Sequence, residues 1–116
     1  MVGSIGIISY LLPNEDIMNQ QIDEIMSILQ EECAEVIQMV SKIRRFGEFN
    51  HHPDEPELTN LARFKQELGD VIAMIELLAA HDYIDMQHIH MLKHEKFEKL
   101  KKWSDISIDY AKLNYK

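Results

Sequence analysis

Glu31-Glu32-Cys33-Ala34-Glu35-Val36-Ile37-Gln38-Met39-Val40 is the stretch on which the reading of this chain turns. Around it, from Asn14 to about Arg45, nothing breaks a helix. Apolar residues recur at Met18, Ile22, Ile25, Leu29, Val36, Val40 and Ile43. At about 100° per residue these positions all fall within about 40° of Val36, the stripe of an amphipathic helix. Glu32 falls inside the same arc, Glu35 on its edge and Glu31 just beyond it. A carboxylate aimed at a core costs several kcal/mol unless it is paired, protonated or bound to a cation. The acids are therefore the informative residues, and the apolar stripe is only their setting.

The spacing predicts that this helix opens with Asn14 as N-cap and Glu15 and Asp16 in its first turn. Arg44 and Arg45 suit its C-terminal end, and Gly47 stops it. Upstream, residues 1–13 form an apolar, β-branched arm ending at Pro13. Downstream, residues 47–58 (GEFNHHPDEPEL) form an acidic loop with two prolines, longer than most helix connections and of the kind used as lids or mobile segments. Thr59 or Asn60 caps a second helix to about Ala80, striped by Phe64, Leu68, Val71, Ile75 and Leu78. After the turn His81-Asp82-Tyr83, Asp85 caps a third helix through about Ser104, with Met86, Ile89, Phe97, Leu100 and Trp103 on one face. Residues 105–116 are a tail, read as a short helix or a flexible end. The expected fold is all-α: a helical bundle of three main antiparallel helices, with residues 14–104 as the helical domain.

The second helix repeats the anomaly of the first. Glu67-Leu68-Gly69-Asp70-Val71-Ile72-Ala73-Met74-Ile75 aligns with Glu32-Cys33-Ala34-Glu35-Val36-Ile37-Gln38-Met39-Val40. Glu67 and Asp70 take the angular places of Glu32 and Glu35. Packed antiparallel, the two helices would bring two acid pairs together from opposite sides. Four carboxylates in one cleft repel, and divalent cations are the simplest compensation. All-oxygen ligation points to Mg²⁺, with Mn²⁺ as the alternative. On the third helix the sign reverses: Lys93 and Lys96 fall in the middle of the apolar arc. Inward cations beside an acidic metal cluster suggest a polyphosphate, its oxygens shared between magnesium and lysine. Lys42, Arg44, Arg45 and Lys99 are weaker candidates, because helix-end cations have a structural reason to exist.

Composition bounds the rest. The chain has 116 residues, 12 Lys+Arg against 20 Asp+Glu, and a net charge of -8, which argues against a general nucleic-acid coat. A single cysteine, Cys33, excludes an intrachain disulfide framework and fits a reducing cytoplasmic setting. Val2 to Leu12 is too short to span a bilayer and lacks the marks of a signal peptide.

The pattern Glu31-Glu32-x-x-Glu35 … Glu67-x-x-Asp70, with the basic run Lys93-His94-Glu95-Lys96-Phe97-Glu98-Lys99 behind it, resembles the MazG-like family of all-α nucleoside triphosphate pyrophosphohydrolases. The resemblance covers roughly Ile22 to Trp103. The spacer between Glu35 and Glu67 is longer than is usual in that family. The resemblance implies that Glu32, Glu35, Glu67 and Asp70 ligate Mg²⁺, and that Glu31 adds a ligand or orients or deprotonates the attacking water. It implies conversion of an NTP, or dNTP, and water into NMP and pyrophosphate. Lys93 and Lys96 would hold the phosphate tail.

Other residues carry weaker signals. His90 and His94 lie four apart on a helix flank with no cysteine or HExxH nearby, so zinc is disfavoured. A di-iron bundle needs ExxH on helices, and the one such spacing, Glu48-x-x-His51, is in the loop. His51 and His52 could contact a substrate base but read better as solvated; Cys33 reads as core; Phe97 and Trp103 could stack a base, but their helical spacing favours packing. No Gly-rich phosphate loop is present. Three helices with acids in their seam form too thin a layer for a good core, so a homo-oligomer, dimer or higher, is expected. The alternatives are a non-catalytic helical assembly module, and a pyrophosphohydrolase of another phosphorylated metabolite such as a phosphoribosyl nucleotide or an alarmone.

Overall fold

The computed structural model describes residues 13–113, and the side chains from residue 20 onward. The apolar arm therefore lies outside the described residues, except for Pro13. Three helices follow in order: α1, Pro13–Phe46; α2, Asn60–Ala80; and α3, Met86–Trp103. Pro13 is the first helical residue of α1, so Asn14 lies inside the helix and is not its cap. Proline is well suited to that first position, where its missing N–H has no intrahelical partner to lose. Thr59 caps α2 by accepting the Ala62 amide at 3.1 Å. Asp85 caps α3 by accepting the Gln87 amide at 3.0 Å.

The chain divides into two compact units, one ending at Tyr83 and the other beginning at Ile84. In the first, α1 and α2 pack as a hairpin. Its buried apolar residues among those described are Ile25, Met39 and Leu78, while Val36, Ile43, Val71 and Ile75 are half-buried. The expected stripe holds with a small rotation: Met39 is buried where Val40 was expected, and Val40 and Leu68 are exposed. Cys33 is exposed too, not core, because the acid-bearing side of α1 faces α2 and turns Cys33 outward.

Residues 47–59 form a loop tied to both helices by backbone and side-chain hydrogen bonds. Gly47 ends α1 with φ +94°, its amide bonded to the Ile43 carbonyl at 2.8 Å. That left-handed conformation is the usual glycine helix stop. Buried Asn60 donates its Nδ2 to the Gly47 carbonyl at 3.0 Å. The amides of Asn60 and Leu61 donate to the carbonyls of Asn50 and Glu48, both at 2.8 Å. The first turn of α2 thus satisfies its orphan amides on the loop. An isolated bridge pairs His51 with Thr59, and Arg63 forms an ion pair with Glu55. These bonds close a loop whose length alone had suggested mobility.

In the second unit, the described residues after α3 form no helix and include a turn over residues 109–113. Tyr110 stacks on His94 with ring centroids 5.4 Å apart and meets Phe97 edge-on at 6.4 Å. The Lys101 ammonium lies 4.5 Å from the Tyr110 ring centroid and 3.0 Å from a Glu98 carboxylate oxygen. The tail is held against α3 through these contacts. Trp103 is 77% exposed, with the Lys102 ammonium over its ring, so the expected packing role is not what it does here. It is the last helical residue, where its face has no following turn to cover it.

A Cβ at Gly47 would meet nothing within 4 Å, so only backbone strain opposes substitution there. Gly47→Ala should lower stability by about 1–2 kcal/mol, the cost of holding an L-residue left-handed. Urea denaturation of the two proteins measures it.

Candidate metal centre

Glu32, Glu35 and Glu67 each bring one carboxylate oxygen into a group in which all lie within 4.8 Å of one another. The hairpin dictates this. Glu32 and Glu35 are one turn apart on α1, and α2 runs back past them so that Glu67 enters from the other side. Glu32 and Glu67 are half-buried, and Glu35 is exposed. Asp70 is half-buried one turn beyond Glu67 and does not belong to this group. Glu31 is exposed beside Glu32. Of the four acids expected to converge, the structure brings three together.

Two oxygens at the centre, Glu32 Oε2 and Glu67 Oε2, are shielded from solvent and accept no hydrogen bond. Buried oxygens left this way cost about 1–3 kcal/mol each, more when charged. The electrostatic consequence falls on Glu67. Its pKa is raised from 4.5 to about 7, first by hydrogen bonding with the Glu35 carboxyl, then by burial, then by Glu32. Near neutrality this trio holds more negative charge than its surroundings compensate. A hard cation with oxygen ligands relieves all three causes at once: it satisfies the orphan oxygens, offsets the burial and screens the mutual repulsion. The residues present therefore fit a Mg²⁺- or Mn²⁺-type ion.

Lys93 is half-buried and Lys96 exposed on α3, in the second unit. His94 stacks on Tyr110 and faces Glu98, and His90 is exposed; no metal-ligand group includes either among the described residues. The hairpin adds a feature that the sequence did not reveal. A cavity of about 450 Å³ opens where the end of α1, the 47–59 loop and the start of α2 meet. Lys42, Phe46, His51, His52, Asn60 and Arg63 are among its lining residues. His51 and His52, expected to be merely solvated, are part of this wall. The only hint in the sequence was the unusual length of the loop.

A family model for the MazG nucleotide pyrophosphohydrolase domain matches residues 20–104, a span that holds all five acids and all three helices except the first turns of α1. No curated protein and no solved structure matches the chain.

The raised pKa has a thermodynamic signature. Folded Glu67 holds its proton up to about pH 7, whereas the unfolded residue releases it near 4.5. The stability that the protonated form contributes is complete below about 4.5 and is lost as pH rises through about 7. In chelator, the melting temperature of the parent should fall relative to Glu67→Gln across that window. Added Mg²⁺ should recover the parent at pH 8 and leave the variant unmoved. Thermal melts from pH 4 to 8, with and without Mg²⁺, measure both effects.

Proposed function

The chain belongs to the MazG nucleotide pyrophosphohydrolase family, and on that premise we propose that it is a Mg²⁺-dependent nucleoside triphosphate pyrophosphohydrolase, releasing (d)NMP and pyrophosphate from (d)NTP. The observation that carries the reading is the convergence of Glu32, Glu35 and Glu67 around two shielded, unbonded oxygens. Those three residues would hold the cation, with Asp70 one turn along α2 as the fourth ligand. When bound, the ion supplies charge neutralisation on the phosphate oxygens and makes a neighbouring water more acidic.

The chain's own part is to assemble the negative cleft, to fix its spacing through the hairpin and to accept a proton. Glu31, exposed and next to Glu32 in the chain, would add a ligand or would orient the attacking water or take its proton. Water adds to phosphorus, the bond between the α- and β-phosphates breaks, and pyrophosphate leaves. One proton is released overall near neutrality. Lys93 and Lys96 are assigned to the phosphate chain on their positions in a helix inside the matched span. A cytoplasmic setting follows from the same reading, and among the described residues no helix is long and apolar enough to cross a membrane.

The proposed assembly is a homo-oligomer. Ile37 is 70% and Ile72 56% exposed, and they occupy equivalent places in the two acid-bearing repeats. Met26 and Val40 extend the exposed apolar row on α1. Apolar surface spread along both helices of a hairpin is what a second copy would bury.

Purified protein with Mg²⁺ and a (d)NTP panel should yield pyrophosphate and the monophosphate. Glu32→Gln, Glu35→Gln and Glu67→Gln should each cost about a hundredfold or more in kcat. Absence of pyrophosphate with every nucleotide would remove the proposal, and a phosphoribosyl nucleotide or alarmone included in the panel tests the neighbouring substrate classes. By sedimentation the parent should be a dimer or larger. Ile37→Glu with Ile72→Glu should shift it toward monomer.

A further inference from the structure

The cavity at the loop end of the hairpin is continuous in register with the acid trio. At about 100° per residue, Lys42 and Phe46 each lie within about 20° of Glu35 around α1, and Asn60 lies within about 20° of Glu67 around α2. Seven residues separate Glu35 from Lys42, and seven separate Asn60 from Glu67, so each helix carries the row of its acid about 10 Å further along the hairpin. That offset is of the order of the span from phosphate chain to base in a nucleotide.

The chemistry of the wall favours the uncharged end of such a molecule. Lys42 and Arg63 are balanced by Asp54 and Glu55, and Arg63 is already paired with Glu55. The N-terminal amides of α2, which could otherwise hold an anion, are spent: Asn60 and Leu61 donate to loop carbonyls and Ala62 to Thr59. A phosphate would find little net attraction there. A flat heteroaromatic ring would find Pro53 and the 56% exposed Phe46, whose ring carries the Arg45 guanidinium 5.0 Å from its centroid on one face and leaves the other face for stacking.

The two histidines add a reading edge. His51 Nδ1 lies 2.9 Å from the His52 carbonyl, which can only accept, so Nδ1 carries the hydrogen and Nε2 is an acceptor. His52 Nδ1 accepts the Asp54 amide at 3.1 Å, which places its hydrogen on Nε2 as a donor. As neutral rings, these consecutive lining residues therefore differ in the nitrogen left without a local partner, an acceptor on His51 and a donor on His52. Adjacent donor and acceptor atoms are what a nucleobase presents along its edge.

We propose that this cavity holds the base and sugar of the nucleotide, and that Phe46, His51 and His52 determine which base is accepted. The proposal rests on the pyrophosphohydrolase reading for the placement of the phosphates, and it is tested separately from it. In the first experiment, the imidazole resonances of the intact protein with Mg²⁺ are followed by NMR as α,β-imido deoxynucleoside triphosphates of different bases are added. Inorganic tripolyphosphate serves as the base-free control. His51 and His52 should shift with at least one nucleotide analogue and not with tripolyphosphate, whereas any response of His90 and His94, beside Lys93, should be common to both. No shift at His51 and His52 with any analogue, or an equal shift with tripolyphosphate, overturns the proposal.

In the second experiment, Phe46→Ala and His51→Ala are assayed for pyrophosphate release across the nucleotide panel. Both sit at exposed positions, where truncation leaves the hairpin core intact. Each should raise KM for the preferred nucleotide about tenfold, with the loss falling on KM rather than kcat. Unchanged KM for every nucleotide in both variants overturns the proposal and leaves the hydrolysis reading standing. Shifted histidines in a parent that releases no pyrophosphate uphold the cavity assignment and remove the hydrolysis instead.

Discussion

Mutual repulsion among Glu32, Glu35 and Glu67 is the constraint around which this hairpin is organised. Three carboxylates with oxygens within 4.8 Å of one another, two of them with a shielded and unbonded oxygen, destabilise an ion-free fold. The fold tolerates the arrangement because the apolar contacts of α1 and α2, around Ile25, Met39 and Leu78, lie on either side of it along the hairpin. Hydrogen bonding with Glu35, burial and the neighbouring Glu32 raise the Glu67 pKa to about 7, so the centre holds its proton most tightly when no cation is there to replace it. A site that is costly when empty binds a cation with the cost it relieves, at the expense of standing stability.

The loop between the helices serves this arrangement. Its length would make it a loose tether, but Asn60, buried and bonded to the Gly47 carbonyl, ties its two ends together. The loop carbonyls of Glu48 and Asn50 cap the first amides of α2. That exchange holds the relative register of the two helices, and the register decides that Glu67 meets Glu32 and Glu35 rather than sliding a turn away. It also shapes the cavity walls, so one set of backbone bonds positions both the acid trio and the space beside it.

Particular residues show how far the sequence could be read. The helices were legible because uninterrupted apolar periodicity admits little else, and the caps at Thr59 and Asp85 follow from side-chain chemistry that acts within a few residues. The acid trio was legible because carboxylates inside an apolar arc are an energetic contradiction that needs a resolution. The exposure of Cys33, Val40 and Leu68 was not, since a wheel locates an arc only to within a residue or so and the partner helix chooses which edge it covers. Trp103 ends its helix with no succeeding turn, and no periodicity argument registers that.

The sequence by itself determined the all-α class, the three helices, the paired acidic motifs and, through them, membership of a nucleotide pyrophosphohydrolase family. These depend on local propensity and on one-dimensional spacing, both of which are complete in the chain. Tertiary structure decided that Glu32, Glu35 and Glu67 form the tight group while Asp70 stands a turn away, and that the exposed His51 and His52 line a cavity. Those outcomes depend on helix register and on a loop closed by backbone hydrogen bonds between residues far apart in sequence. Such bonds are invisible to side-chain patterning, because every residue but proline carries the same donor and acceptor.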